Sequence, residues 1–201
     1  MKKTTLALAM GLMISGAANA ALEANIGATS NYMWRGVTQT DNEMAISGGL
    51  DYVNESGLYA GIWVSNATWG GADMETEMDL YAGFSTDDYD VGVIKYMYPS
   101  DNADNDFTEI YGSLTISGVT AGAAYDPDNE NLYYHLGTEM AVAEDLGLSA
   151  TLGRYDFDGA GDYTHLTLDL SKGDFTFSLS KATSGSGDDS VIPYVSYSKS
   201  F

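Results

Sequence analysis

Apolar and polar residues alternate along most of this chain with a period of two. Residues 22–32 set Leu22, Ala24, Ile26 and Ala28 against Glu23, Asn25, Gly27 and Thr29. Residues 44–53 put Ile46, Leu50 and Tyr52 opposite Ser47 and Asp51, and 58–66 oppose Leu58, Ala60, Ile62 and Val64 to Tyr59, Gly61, Trp63 and Ser65. This is the period of a strand with one apolar and one polar face. It recurs at 77–84, 90–98 (less cleanly), 107–117, 119–125, 132–142, 148–155, 163–171, 175–181 and 191–201. Twelve strands are predicted.

The connections carry their own pattern. Short turns at 54–57, 87–88, 117–118, 144–147 and 172–174 alternate strictly with longer polar stretches, beginning with a loop at 39–43. Short turns on one side, long loops on the other and strands of about 9–11 residues describe a transmembrane barrel. A soluble sandwich predicts shorter strands and no such alternation of loops. The fold class expected is therefore all-β, an antiparallel transmembrane β-barrel of 12 strands whose last strand closes on its first. Tyr32, Trp34, Tyr96, Tyr98, Tyr125, Tyr133, Tyr134, Tyr155 and Tyr163 fall at loop-side strand ends, where an interfacial girdle belongs. Arg154, Lys181 and Lys199 fall near strand ends on the apolar face, away from mid-membrane, where a base would cost roughly 2–4 kcal/mol.

Composition sharpens the picture. Residues 1–20 begin with Lys2 and Lys3, continue through an apolar run and end in Ala18-Asn19-Ala20, the pattern of a cleaved signal peptide. The domains expected are thus a signal peptide, 1–20, and an outer-membrane barrel, 21–201. With no Cys there are no disulfides, thiolate metal sites or cysteine nucleophiles. Without Lys2 and Lys3, 6 basic residues stand against 29 acidic ones, a net charge of −23 that excludes nucleic acid as a partner.

The final Tyr-Ser-Lys-Ser-Phe resembles the closing strand of bacterial outer-membrane barrels. The resemblance implies that Tyr197 and Phe201 are part of the signal read by the barrel-assembly machinery. Residues 30–41, Ser-Asn-Tyr-Met-Trp-Arg-Gly-Val-Thr-Gln-Thr-Asp, followed by Gly-Gly-Leu-Asp-Tyr at 48–52 and Gly-Leu-Tyr-Ala-Gly-Ile-Trp-Val-Ser-Asn at 57–66, resemble the TorF-type porin family. That resemblance covers roughly the first third of the chain after residue 20. It implies a small Gram-negative outer-membrane barrel of channel type, in contact with outer-membrane lipid and lipopolysaccharide and passing small solutes.

Carried through every strand, the alternation brings Asp51, Glu77, Asp79, Glu109, Glu139 and Asp169 into the lumen with Arg35 and Lys95. Six acids against two bases predict a preference for cations or neutral solutes. Arg35 follows the wet face Asn25, Gly27, Thr29, Asn31 and Met33 toward the outer mouth, and Trp63 is a lumen aromatic with glycine beside it. The pair forms either a selectivity constriction or simple interior filling that holds strand register. His135 and His165 lie on the wet face with no serine in a nucleophile motif, so lumen filling is expected rather than catalysis. Residues 126–130, Asp-Pro-Asp-Asn-Glu, open like a calcium loop, but Asn131 and Gly137 stand where its sixth-position glycine and twelfth-position glutamate belong. No cofactor and no metal is expected. The function expected is passive diffusion of small solutes, and the alternative is a plugged barrel with a structural or adhesion role.

Overall fold

The computed structural model describes residues 21–68, 75–99, 105–159, 161–187 and 189–201. The signal peptide expected at 1–20 lies outside these residues. Twelve long strands close into one antiparallel barrel. In chain order the strands are β1 (Ala21–Thr29), a short pair β2 (Met33–Trp34) and β3 (Val37–Thr38), β4 (Ala45–Val53), β5 (Leu58–Ala67), β6 (Glu75–Ser85) and β7 (Tyr89–Met97). They continue as β8 (Phe107–Ile116), β9 (Val119–Asp126), β10 (Asn131–Ala143), β11 (Leu146–Asp156), β12 (Tyr163–Lys172), β13 (Phe175–Ala182) and β14 (Val191–Ser200). Each wall strand pairs with its neighbour in sequence. β14 shuts the barrel on β1, from Asn25 opposite Ser200 to Thr29 opposite Ser196. Beyond that ladder the Phe201 amide donates to the Ala24 carbonyl at 2.9 Å. Closure removes the unpaired edges an open sheet would present.

The two faces divide as the alternation dictates. Leu22, Ile46, Ile110, Leu136, Leu152 and Phe177 point outward and are exposed, members of a continuous apolar belt around the barrel. A belt of that extent requires a lipid solvent. No helix among the described residues is long and apolar enough to cross a membrane.

Facing inward are Tyr59, Tyr81, Tyr96, Tyr133, Tyr155 and Tyr163, all buried. Tyrosine suits a narrow barrel, because its ring fills the lumen while its hydroxyl reaches a polar partner. A Cβ on Gly61 would lie 2.4 Å from the Tyr81 ring, so that position must stay bare. The expected tyrosine girdle is corrected here. Tyr96, Tyr98, Tyr133, Tyr155 and Tyr163 belong to the interior, and only Tyr125 and Tyr134 of the group face outward.

The second difference lies between β1 and β4. The first strand ends at Thr29 rather than at residue 32, and 33–38 is a hairpin instead of a strand continuation. Met33 pairs with Thr38 and Trp34 with Val37 across a two-residue turn, Arg35-Gly36, at φ +49° and +84°. Positive φ at both central residues is what a type I′ hairpin requires. This hairpin turns into the barrel.

Candidate functional site

Asn31 anchors the hairpin. Its amide donates to Asn42 Oδ1 at 2.9 Å and its carbonyl oxygen accepts from the Thr38 hydroxyl at 2.7 Å. The Thr40 hydroxyl accepts from the Tyr32 amide and donates to the Glu43 carbonyl. With both ends tied, Trp34 reaches across the loop-end third of the lumen. Its ring meets Tyr96 and Phe107 edge-on at 5.9 and 6.4 Å on one wall and Tyr155 at 5.7 Å on the other. It packs against both aromatic clusters of the lumen, as Tyr111 does from the wall.

At the hairpin tip, Arg35 donates from Nη1 and Nη2 to the two oxygens of Glu109, each at 2.7 Å. The guanidinium lies 4.2 Å from the Trp34 ring and 4.1 Å from the Tyr133 ring. Tyr96 adds a hydroxyl bond to Glu109 at 3.1 Å. The fork-to-fork geometry and the flanking rings together fit arginine and not lysine. Gly36 lies against His165, whose Nε2 is 3.0 Å from the Tyr133 hydroxyl.

Toward the turn end the two walls differ. On the β4–β8 side, Tyr59 bonds both Asp90, at 2.7 Å, and the Tyr111 hydroxyl, while Tyr81 donates to Asp51. On the β11–β13 side, Asp169 accepts from Ser149 at 3.1 Å and from Ser178 at 2.6 Å, amid small hydroxyl residues. Nearer the loop end, Glu77 and Asp79 are fully buried on the inward face of β6. Glu77 accepts from Tyr32 at 3.2 Å through one oxygen, but its other oxygen and both oxygens of Asp79 have no hydrogen-bond partner among the described residues.

Asp51, Glu77, Asp79, Glu109, Glu139 and Asp169 all face inward, Glu139 exposed near the turn end. Trp63 faces inward too and meets Tyr32 edge-on at 5.5 Å, with Gly49 opposite it across the ladder. His135 points inward beside Gly122, and His165 is buried.

Lys95 is the exception. It pairs with outward Leu80 and shares the lipid side with Val91 and Val93, while Ile94 and Tyr96 on either side of it are buried in the lumen. The reason is local: β7 sends an isoleucine inward and a lysine outward, against the hydropathy of both. Arg35 also reaches the lumen by a route other than the one expected, from a turn and not from an extended β1. Glu23, Glu75, Asp90 and Asp126 are inward acids that sequence reasoning missed, although each stands in phase with an inward neighbour on its strand. Asp126 accepts the Asp128 and Asn129 amides and the Asn129 side chain, which makes it the cap of its own loop. Arg35 is therefore the only lysine or arginine among the described residues that faces the lumen. The other five, Lys95, Arg154, Lys172, Lys181 and Lys199, face outward.

Above the hairpin, at the loop end, lies a cavity of about 400 Å³ lined by Trp34, Gln39, Glu77, Tyr96, Tyr98, Phe107, Tyr155 and their neighbours. Among the described residues no group of three or more His, Cys, Asp or Glu is placed to hold a metal ion.

The family model "Bacterial protein of unknown function (Gcw_chp)" matches residues 14–195. The chain belongs to the Gcw_chp family. No curated protein matches it by sequence. Among solved structures this Gcw_chp chain is similar to the KdgM porin in complex with disordered oligogalacturonate, at 6% identity and TM-score 0.54, over 90% of this chain and 98% of that one. Lesser likeness extends to a mutant Rh. blastica porin (14%, TM-score 0.47, 77% of this chain and 55% of that one) and to LpxR from Salmonella typhimurium (10%, 0.47, 89% and 99%). The KdgM likeness establishes a porin-like barrel fold.

Proposed function

We propose that this protein is an outer-membrane channel of the TorF porin type for small cationic or neutral solutes, held narrow by its own β2–β3 hairpin. The observation that carries the reading is the charge of the lumen. Arg35, the one lysine or arginine that faces inward among the described residues, is neutralised by Glu109, and Asp51, Glu77, Asp79, Glu139 and Asp169 add further acids to the lumen. Negative charge inside a low-dielectric wall attracts cations and repels anions. The polyanionic oligogalacturonate named with KdgM is therefore a poor candidate for this lumen. In this reading residues 1–20 direct export, the loop end faces outside among lipopolysaccharide, and the outward apolar belt contacts lipid. Insertion by the barrel-assembly machinery uses the β14 end, where Tyr197 and Phe201 face outward.

A second reading, a permanently plugged barrel with a structural or adhesion role, draws on Trp34, which packs on both walls. Planar-bilayer recording under a potassium chloride gradient separates the two. A zero-current potential of cation-selective sign supports the channel, and an anion-selective sign overturns it. Absence of conductance both in the native barrel and after deletion of residues 33–38 establishes the plugged barrel.

A further inference from the structure

The loop-end cavity has a floor of Trp34, walls of tyrosine and phenylalanine, and the carboxylates of Glu77, Asp106 and Asp126 in its lining. Glu77 lines it and is 2% exposed, and its Oε2 has no hydrogen-bond partner among the described residues. Asp79 sits two residues along the same inward face, at roughly 6.6 Å by strand geometry. It is 0% exposed and unpartnered at both oxygens. Three buried carboxylate oxygens without donors, one on Glu77 and two on Asp79, are costly and call for protons or a cation. No basic residue lines the cavity, and the guanidinium of Arg35 is committed to Glu109.

We propose that this vestibule binds a small organic ammonium ion, its N–H donors directed at Glu77 in the lining, its charge balanced also by Asp79 behind it, and its apolar body among the aromatic rings. A volume near 400 Å³ suits a ligand of modest size. The rings of Trp34, Tyr96 and Tyr98 supply apolar surface and negative π-faces toward a cation. A quaternary ammonium has no N–H for the free oxygens, so a primary or secondary amine is the better fit. A neutral sugar would also stack on the rings and reach Asn129 and Asn131 at the rim. It would leave the charges of Glu77 and Asp79 uncompensated, which is why the cation is the assignment.

The inference deepens the proposed channel reading by naming a solute class. It is tested by equilibrium binding, so its failure is distinct from a failure of the conductance experiment. The probe is benzylamine, protonated at pH 7, titrated calorimetrically into the refolded, detergent-solubilised barrel, with benzyl alcohol and glucose as neutral controls. Benzylamine is expected to bind at least tenfold more tightly than benzyl alcohol. Glu77→Gln and Asp79→Asn should each weaken it at least tenfold, while Lys95→Gln leaves it unchanged. Because Asp79 is unpartnered and the amide oxygen of Glu77→Gln can still accept from Tyr32, both variants should fold and resist urea at least as well as the native barrel. Equal affinity for the alcohol, tighter binding of glucose, affinity insensitive to Glu77→Gln, or no binding by a barrel shown folded by heat-modifiable migration would each overturn the assignment.

Discussion

Arg35 and Glu109 stand 74 positions apart in sequence and meet through two 2.7 Å bonds inside the barrel. The contact holds a hairpin whose turn is itself strained, since Arg35 sits at φ +49°, where a non-glycine residue costs roughly 1–2 kcal/mol. Both members are almost wholly buried. Attraction at such depth roughly offsets desolvation, so the pair specifies where the hairpin sits more than it adds net stability.

Removing one partner is a different matter from removing both. Arg35→Met should destabilise the barrel by about 3–5 kcal/mol, because it strands Glu109. Combining it with Glu109→Leu should recover most of that loss. Urea unfolding in lipid vesicles measures both, and a double variant no more stable than the single would show that the pair does not act as a unit.

Lys95 yields a prediction of opposite character. It faces outward from β7, so Lys95→Gln should leave the zero-current potential of the channel unchanged. Asp79→Asn, inside the lumen, should shift the potential away from the cation-selective value. A shift on removing Lys95 comparable to that of Asp79→Asn would place the lysine in the pore after all.

The wall of this fold was legible because alternation over seven or more residues leaves little choice of face, and β12 shows it unbroken from His165 to Ser171. Alternation fails where a narrow lumen takes apolar groups. In β7 the run Val91, Gly92, Val93, Ile94, Lys95 gives no hydropathy contrast, and only pairing with β6 and β8 fixes its phase. The hairpin was illegible for another reason. Strands of two residues fall below any periodicity, and an arginine at the first turn position hides the type I′ signature that Gly36 alone suggests. The inward tyrosines were misplaced because an aromatic near a strand end reads equally well as girdle or as core.

The placement of the termini and turns predicts sidedness. The chain has no cysteine, so single cysteines at Asn129 or Asp158 and at Ser56 or Asp145 can be labelled uniquely. Reagent that does not cross the outer membrane should modify the first two on intact cells, and the second two only after permeabilisation. The reverse pattern would invert the proposed orientation.

Gly36 gives the sharpest test of the hairpin as the element that narrows the pore. A Cβ at this position would fall 2.4 Å from the His165 Cβ, and φ is +84°. Valine meets both obstacles, because a β-branched residue is an outlier at positive φ and the wall strand β12 cannot retreat without breaking its pairing with β11 and β13. The hairpin is held to the wall by side-chain contacts of Trp34, Arg35 and Val37, whereas the wall is a closed ladder. The hairpin should therefore yield first. Gly36→Val is expected to keep heat-modifiable migration and the strand content measured by circular dichroism. Single-channel conductance should rise severalfold as the hairpin leaves the lumen. Adding His165→Gly removes the clash but not the backbone strain, so it should restore part of the narrow state. A folded Gly36→Val barrel with unaltered conductance would show that the pore is narrowed elsewhere, at the tyrosine and carboxylate network of Tyr59, Tyr81, Asp51 and Asp90 toward the turn end.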